Sequence, residues 1–220
     1  MVCVIYVDDT ICTGPNQELI NKEIKLLGLK QDHEECPFKF RDEGELSAFL
    51  GIKIDKPKEK KFYLSQPGLT EKVLKASGMV DCKPNTTPST LDPLGPDKDG
   101  ELMNESWEYA SILGMLMYLA NNTRPDIARA VHACVRYTHS PKKSHATAVK
   151  HILKYLKGTL DKGIILAPNN KHELNCFVDS DFAKNYNIHH DQDPTSTKSR
   201  TGYIILYQGY PVLWTSKMQT

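Results

Sequence analysis

The apolar residues of this chain fall at period two near both ends and at helical spacing between them, an order that points to an α+β fold. At the N-terminal end Val2, Val4, Ile5, Tyr6 and Val7 are β-branched or aromatic and read as a buried strand. Thr10-Ile11-Cys12-Thr13 reads as its antiparallel return, and Gly14-Pro15 as its stop. Asp8 and Asp9 lie at the tip between the two strands. Asp is a common turn residue, so a solvated turn accounts for the pair on turn chemistry alone. Two adjacent carboxylates are also what a Mg²⁺ site offers, because hard cations take oxygen ligands and keep positions open for phosphates.

The 220 residues can bury a real core in one or two domains. The longest apolar run, 112–120, is interrupted by Gly114 and is too short to span a bilayer, and no signal peptide is visible. Cysteines 3, 12, 36, 82, 134 and 176 make no C-x-x-C pair, which argues for reduced thiols in an intracellular, cytoplasmic protein and against structural zinc. The net charge of +1 hides a basic segment in which Arg136, Lys142, Lys143, Lys150, Lys154, Lys157 and Lys162 face only Asp161. Such a segment is either a phosphate-contacting surface or a solvated helix face.

Helical spacing predicts a helix over 16–27 stopped by Gly28, and another begun by Pro67 and ended by Ser77-Gly78. Alternation over 46–54, a polar turn, and Phe62-Tyr63-Leu64-Ser65 predict a second hairpin. Residues 81–104, with Pro84, Pro88, Pro93, Pro96 and no periodicity, read as a linker at a domain boundary. Three helices are expected beyond it: a buried one over 109–121, one capped at Thr123 with Pro125 early in it, and one begun at Ser140-Pro141 and stopped by Gly158. Strands over 174–179, 201–207 and 212–216 follow, the last two joined through Gln208-Gly209-Tyr210-Pro211. His189, His190, Asp191 and Asp193 lie in a polar loop and read as solvated rather than as a metal cluster.

The order of several short motifs carries more than any one of them. Tyr6-Val7-Asp8-Asp9 is followed by Phe49-Leu50-Gly51-Ile52-Lys53-Ile54 and Leu64-Ser65-Gln66, then by Thr123-Arg124-Pro125-Asp126-Ile127 and Leu153-Lys154-Tyr155-Leu156-Lys157-Gly158-Thr159. After them come Phe177-Val178-Asp179-Ser180-Asp181, Thr201-Gly202-Tyr203 and Trp214-Thr215-Ser216-Lys217. This series resembles the pol polyprotein of copia-type retrotransposons over nearly the whole chain. The resemblance implies the C-terminal half of a reverse transcriptase palm over 1–80, the linker 81–104, a helical thumb or connection over 105–160, and the first strands of an RNase H-like domain over 172–220.

By the same resemblance, Asp8 and Asp9 match the acidic pair of the palm, with Mg²⁺ as cofactor, and Asp179 the first metal-binding Asp of RNase H, with Asp181 its rival. Tyr6 matches the residue beneath the incoming nucleotide and primer end; a core aromatic is the alternative. Lys150, Lys154 and Lys157 share one face of the thumb-like helix, where duplex phosphates would be contacted. The implied partners are RNA template, DNA primer, RNA/DNA hybrid and dNTP, with no membrane. The family carries further ligands before and after the matched region, so both sites are expected to be incomplete within these residues. Three readings stay open: part of a reverse transcriptase/RNase H, a non-catalytic nucleic-acid-binding module, and a relic of an integrated element.

Overall fold

Antiparallel pairing begins at the N-terminus, where β1 (Val2–Tyr6) and β2 (Asp9–Thr13) pair from Val2↔Thr13 to Tyr6↔Asp9. The computed structural model describes residues 1–28, 43–58, 61–90, 92–169, 171–181 and 197–219, which form two units, Met1–Leu50 and Gly51–Thr220. In the first unit the side chain of Asn16 accepts from the backbone N–H of Glu18 (2.8 Å) and starts helix α1 (Gln17–Gly28). The short strand β3 (Ala48–Phe49) lies near its end. Cys3 and Cys12 face each other across the hairpin as free thiols, Sγ to Sγ 3.2 Å.

The expectation of a buried first strand does not hold. Val4, Ile5 and Val7 are exposed at 52%, 71% and 81%. Ile20 on α1, packed over Gly14, is the buried hydrophobic residue of this unit among the described residues. A two-stranded sheet has no layer of its own to cover either face.

The second unit is built on four helices: α2 (Pro67–Ala76), α3 (Tyr109–Asn122), α4 (Ala128–Val135) and α5 (Lys143–Lys157). Their apolar stripes meet in one cluster in which Val73, Leu116, Leu119, Val131, Val149, Leu153 and Leu156 are fully enclosed. Burying each such side chain contributes on the order of 1.5–3 kcal/mol. Pro67 opens α2 and Gly78, at φ +66°, follows its end, as the sequence implies.

Two helix starts differ from expectation. Thr123 does not cap its helix; its hydroxyl donates to Gln66 Oε1 (2.8 Å), and Pro125–Ile127 forms a 3₁₀ turn before α4. Helix α5 starts at Lys143, not at Ser140-Pro141. Leu102 bridges Lys142, Met103 N–H donates to the Pro141 carbonyl (3.2 Å), and Lys143 N–H to the Glu101 carbonyl (2.9 Å). Those bonds hold residues 141–142 extended. Residues read as a linker are thus pinned along the helices, with Leu94 and Met103 packed on the core and Asn85 N–H donating to the Lys154 carbonyl (3.2 Å).

The alternation over 46–54 is broken at Leu50 and Gly51, both at positive φ (+49° and +74°), and strand β4 (Ile52–Lys58) begins after them. It pairs with β5 (Lys61–Ser65), and β5 with β6 (Ile164–Leu166), a strand the sequence did not suggest. A Cβ on Gly163 would overlap the Leu64 carbonyl, so backbone rather than a side-chain tip must yield. Gly163→Ala should therefore cost about 1–3 kcal/mol in urea unfolding; an unchanged midpoint would contradict the β5–β6 packing.

Strands β7 (Leu174–Asp181), β8 (Arg200–Tyr207) and β9 (Tyr210–Met218) form the last sheet, in that order and antiparallel. Gln208 (φ +51°) and Gly209 (φ +84°) alone make the β8–β9 turn, so β9 starts earlier than expected. The Trp214 indole N–H donates to the Ala120 carbonyl at 2.8 Å, fixing the sheet to α3. The fold is α+β. No described helix is long and apolar enough to cross a membrane.

Candidate functional site

Tyr6 and Asp9 close the first hairpin, which leaves Val7 and Asp8 as its two turn residues. Val7 has φ +50°, a left-handed conformation that costs an L residue roughly 1–2 kcal/mol and that β-branched residues avoid. Asp8 and Asp9 are both exposed, and neither carboxylate has a hydrogen-bond or ion-pair partner among the described residues. Tyr6 is 57% exposed, so the core-aromatic alternative does not apply in this hairpin.

No third His, Cys, Asp or Glu completes a metal-binding group with them among the described residues. Two exposed carboxylates still fit Mg²⁺, which typically binds one or two carboxylates and fills its remaining positions with water and substrate phosphate. They form part of a donor set rather than a cage.

Asp179 lies inside β7 opposite Gly202, two residues before the strand ends. It is exposed and makes no side-chain hydrogen bond among the described residues, whereas Asp181 Oδ1 accepts from Arg200 N–H at 2.7 Å. The two acids therefore differ: one is open and the other helps close the strand pair. The histidine-containing loop lies outside the described residues.

The three lysines of α5 also separate. Lys150 Nζ bonds Glu105 Oε1 at 2.7 Å, both side chains partly buried, while Lys154 and Lys157 have no ion pair among the described residues. Lys154 and Lys157, both half-buried, are thus the two of the three without an ion pair among the described residues.

A buried polar hub was not foreseen. Arg124 is 2% exposed; Nε and Nη2 grip the two oxygens of Asp126 (3.0 and 2.8 Å), and Nη1 and Nη2 donate to the carbonyl and hydroxyl of Thr159 (2.9 and 2.8 Å). The Tyr155 hydroxyl donates to Asp126 Oδ2 (2.8 Å), and the Arg124 guanidinium lies 5.6 Å from the centre of the Tyr155 ring. Burial alone would raise the Asp126 carboxyl, but the hydrogen bond and charge of Arg124, with the Tyr155 hydrogen bond, outweigh it and hold the group below the usual carboxylate range.

His145 is fully buried; Nδ1 accepts from Lys142 N–H (2.9 Å), and Nε2 donates to the Gly95 carbonyl (2.8 Å). Burial lowers its pKa despite that carbonyl and Asp97. Both shifts act in the same direction. A depressed carboxylate and a depressed histidine each bind more protons when unfolded, so their stabilisation is present near neutrality. The histidine part fades as pH falls below the ordinary histidine range, and the Asp126 part lower still, through its depressed pKa. The melting temperature should fall on acidification in wild type and less steeply in His145→Gln. Equal slopes would contradict the neutral, buried imidazole.

The chain is 34% identical over 216 residues to the retrovirus-related Pol polyprotein from transposon RE1 of Arabidopsis thaliana, covering 98% of this chain. It is 32% identical, over its whole length, to the Pol polyprotein from transposon TNT 1-94 of Nicotiana tabacum. The chain belongs to the copia-type retrotransposon Pol polyproteins. It spans 14% of the RE1 polyprotein and 16% of that from TNT 1-94. An uncharacterized mitochondrial protein of Arabidopsis thaliana is 33% identical over 220 residues and matches over 84% of its own length. No protein-family model matches the chain, and no solved structure matches it. Within this Pol segment, the Arg124 hub joins the Thr123-Arg124-Pro125-Asp126 and Gly158-Thr159 motifs, which is why both belong to one structural unit.

Proposed function

We propose that this Pol segment belongs to an RNA-directed DNA polymerase with RNase H, and supplies the acidic hairpin of the palm, a thumb-like helical body and the first strands of the RNase H domain. The observation that carries the reading is the open Asp8-Asp9 pair, one acid in a strained two-residue turn and the other next to it in β2, in a chain whose relatives are Pol polyproteins. Asp8 and Asp9 would hold Mg²⁺, and Asp179 would be one ligand of a separate site. Bound there, an ion would supply positive charge to activate the attacking oxygen and to offset charge on the leaving one, that of pyrophosphate in polymerisation and of the cut strand in hydrolysis. Tyr6 offers an exposed ring beside the pair, against which a nucleotide can pack. Lys154 and Lys157, with Lys150 held by Glu105, give α5 a basic face for the phosphates of template and primer. The described carboxylates number too few for either reaction, so further ligands complete each site from outside them.

Mn²⁺ titration of the 220-residue chain, followed by NMR, tests the pair directly. Amide signals of Tyr6 to Thr10 should broaden first, and Asp8→Asn should remove that selectivity. Broadening spread evenly over all exposed acids would return the hairpin to an ordinary turn.

Binding of a labelled primer–template tests the helix. Lys154→Ala with Lys157→Ala should weaken it and flatten the log–log salt dependence by roughly 0.7–0.9 per lost contact. An unchanged slope would make this a plain solvated face.

A further inference from the structure

Cys3 on β1 and Cys12 on β2 stand directly opposite each other in the first hairpin, their sulfurs 3.2 Å apart and in hydrogen-bond contact. Both are free thiols; Cys3 is exposed and Cys12 half-buried, so a small solute in water reaches the pair. Tyr6 and Asp9 flank the two-residue turn as a hydrogen-bonded pair, and pair types alternate along an antiparallel ladder. Cys3 and Cys12 lie three pairs further on, at a non-hydrogen-bonded position. Cα atoms at such positions are about 4.5 Å apart, within the span that a disulfide bridges without moving backbone.

We propose that Cys3 and Cys12 are a thiol–disulfide couple, oxidised by a low-molecular-weight disulfide, whose closed form staples the hairpin that carries Asp8 and Asp9. The thiolate of Cys3 attacks one sulfur of glutathione disulfide, forms a mixed disulfide and expels one glutathione thiolate. The Cys12 thiolate then attacks the Cys3 sulfur, and the second glutathione leaves. One S–S bond forms on the protein as one breaks in the oxidant. The cysteines lose two electrons, the glutathione disulfide gains them, and the two thiol protons end on two glutathione molecules. The order of attack follows exposure: Cys3 is the open sulfur, whereas the hydrogen bond with Cys3 and then burial raise the pKa of Cys12.

The hairpin has little else to hold it. Val4, Ile5 and Val7 are exposed, and Val7 sits in a left-handed turn, so neither burial nor turn chemistry secures the two strands. A covalent link between them limits how far they separate on opening, and so favours the paired state. The couple does not depend on whether the two acids hold a metal ion, and both readouts below are made without one.

The test is equilibration of the 220-residue chain in glutathione buffers at fixed thiol concentration, followed by acid quench, iodoacetamide and trypsin. Lys22 is the first basic residue, so trypsin releases both cysteines in one peptide, 1–22. The closed pair appears as that peptide, unalkylated and two hydrogens lighter than the dithiol; a mixed disulfide or a link to Cys36 gives a different mass. The native chain should close at a glutathione disulfide concentration at least about tenfold lower than the chain in concentrated urea, because the paired strands raise the effective concentration of one thiol at the other. Cys12→Ser with Ile11→Cys moves the second thiol to the opposite face of the hairpin and should lose that advantage. Amide exchange at Val4 and Ile11 should slow about tenfold on closure. Equal closure in native and unfolded chains, an equal advantage with the moved thiol, or exchange unchanged by closure would each overturn the proposal.

Discussion

Arg124→Met should lower the unfolding free energy of the 220-residue chain by about 3 kcal/mol, read from urea midpoints at constant slope. The variant keeps the aliphatic bulk but removes every donor that reaches Asp126 and Thr159. The Thr159 carbonyl, on a residue 8% exposed, is left without its guanidinium partner. Asp126 loses its two-pronged ion pair and keeps only the Tyr155 hydroxyl among the side chains. Because the Asp126 side chain stays 34% exposed, water recovers part of its solvation, which sets the estimate at the low end for a broken buried pair. Arg124→Lys should recover little, since a single ammonium cannot span both carboxylate oxygens and the Thr159 carbonyl. A loss below about 1 kcal/mol would show that the hub is incidental to the packing. The variant should also shed the acid-side stability that Asp126 supplies, because that term depends on the same guanidinium.

Local chemistry was legible where one residue type decides the backbone. Pro67 and Gly78 bound α2, Gln208-Gly209 forms a hairpin turn, and the apolar pattern of 109–121 is a helix, although Ala110, Ser111, Gly114 and Tyr118 leave one face of it exposed. The first hairpin was legible too, but its turn falls on Val7-Asp8 rather than on Asp8-Asp9, because Asp9 already pairs with Tyr6. Features set by distant partners were not. Prolines 84, 88, 93 and 96 read as a linker, and bonds such as Asn85 to Lys154 and Met103 to Pro141, which hold that segment along the helices, are made with partners no local pattern reveals. The sequence around Arg124 reads as a helix cap, because nothing local reveals that its guanidinium reaches Thr159. Strand β6 is too short to show a period and exists through its pairing with β5. Arg129 in α4, Arg136 just past its end and Arg200 at the start of β8 line one cavity, which no spacing rule connects.

Asp8→Ala should reduce nucleotide incorporation by at least about a thousandfold in a polyprotein extending beyond this segment, because groups that act as one catalytic unit fail together when one is removed. The same substitution should leave cleavage of the RNA strand of a hybrid intact, since Asp179 stands on a different sheet from the hairpin. Folding should barely respond, as Asp8 is exposed and holds no partner among the described residues. Asp179→Ala should show the converse, with extension kept and hybrid cleavage lost. Asp181→Ala should instead weaken the β7–β8 pair through the lost bond to Arg200 N–H. The decisive measurement is therefore both activities, primer extension and hybrid cleavage, assayed side by side on Asp8→Ala and Asp179→Ala in that longer polyprotein. Each variant should lose one activity and keep the other. Loss of both activities in both correctly folded variants, or of neither, would contradict the assignment of two separate carboxylate sites.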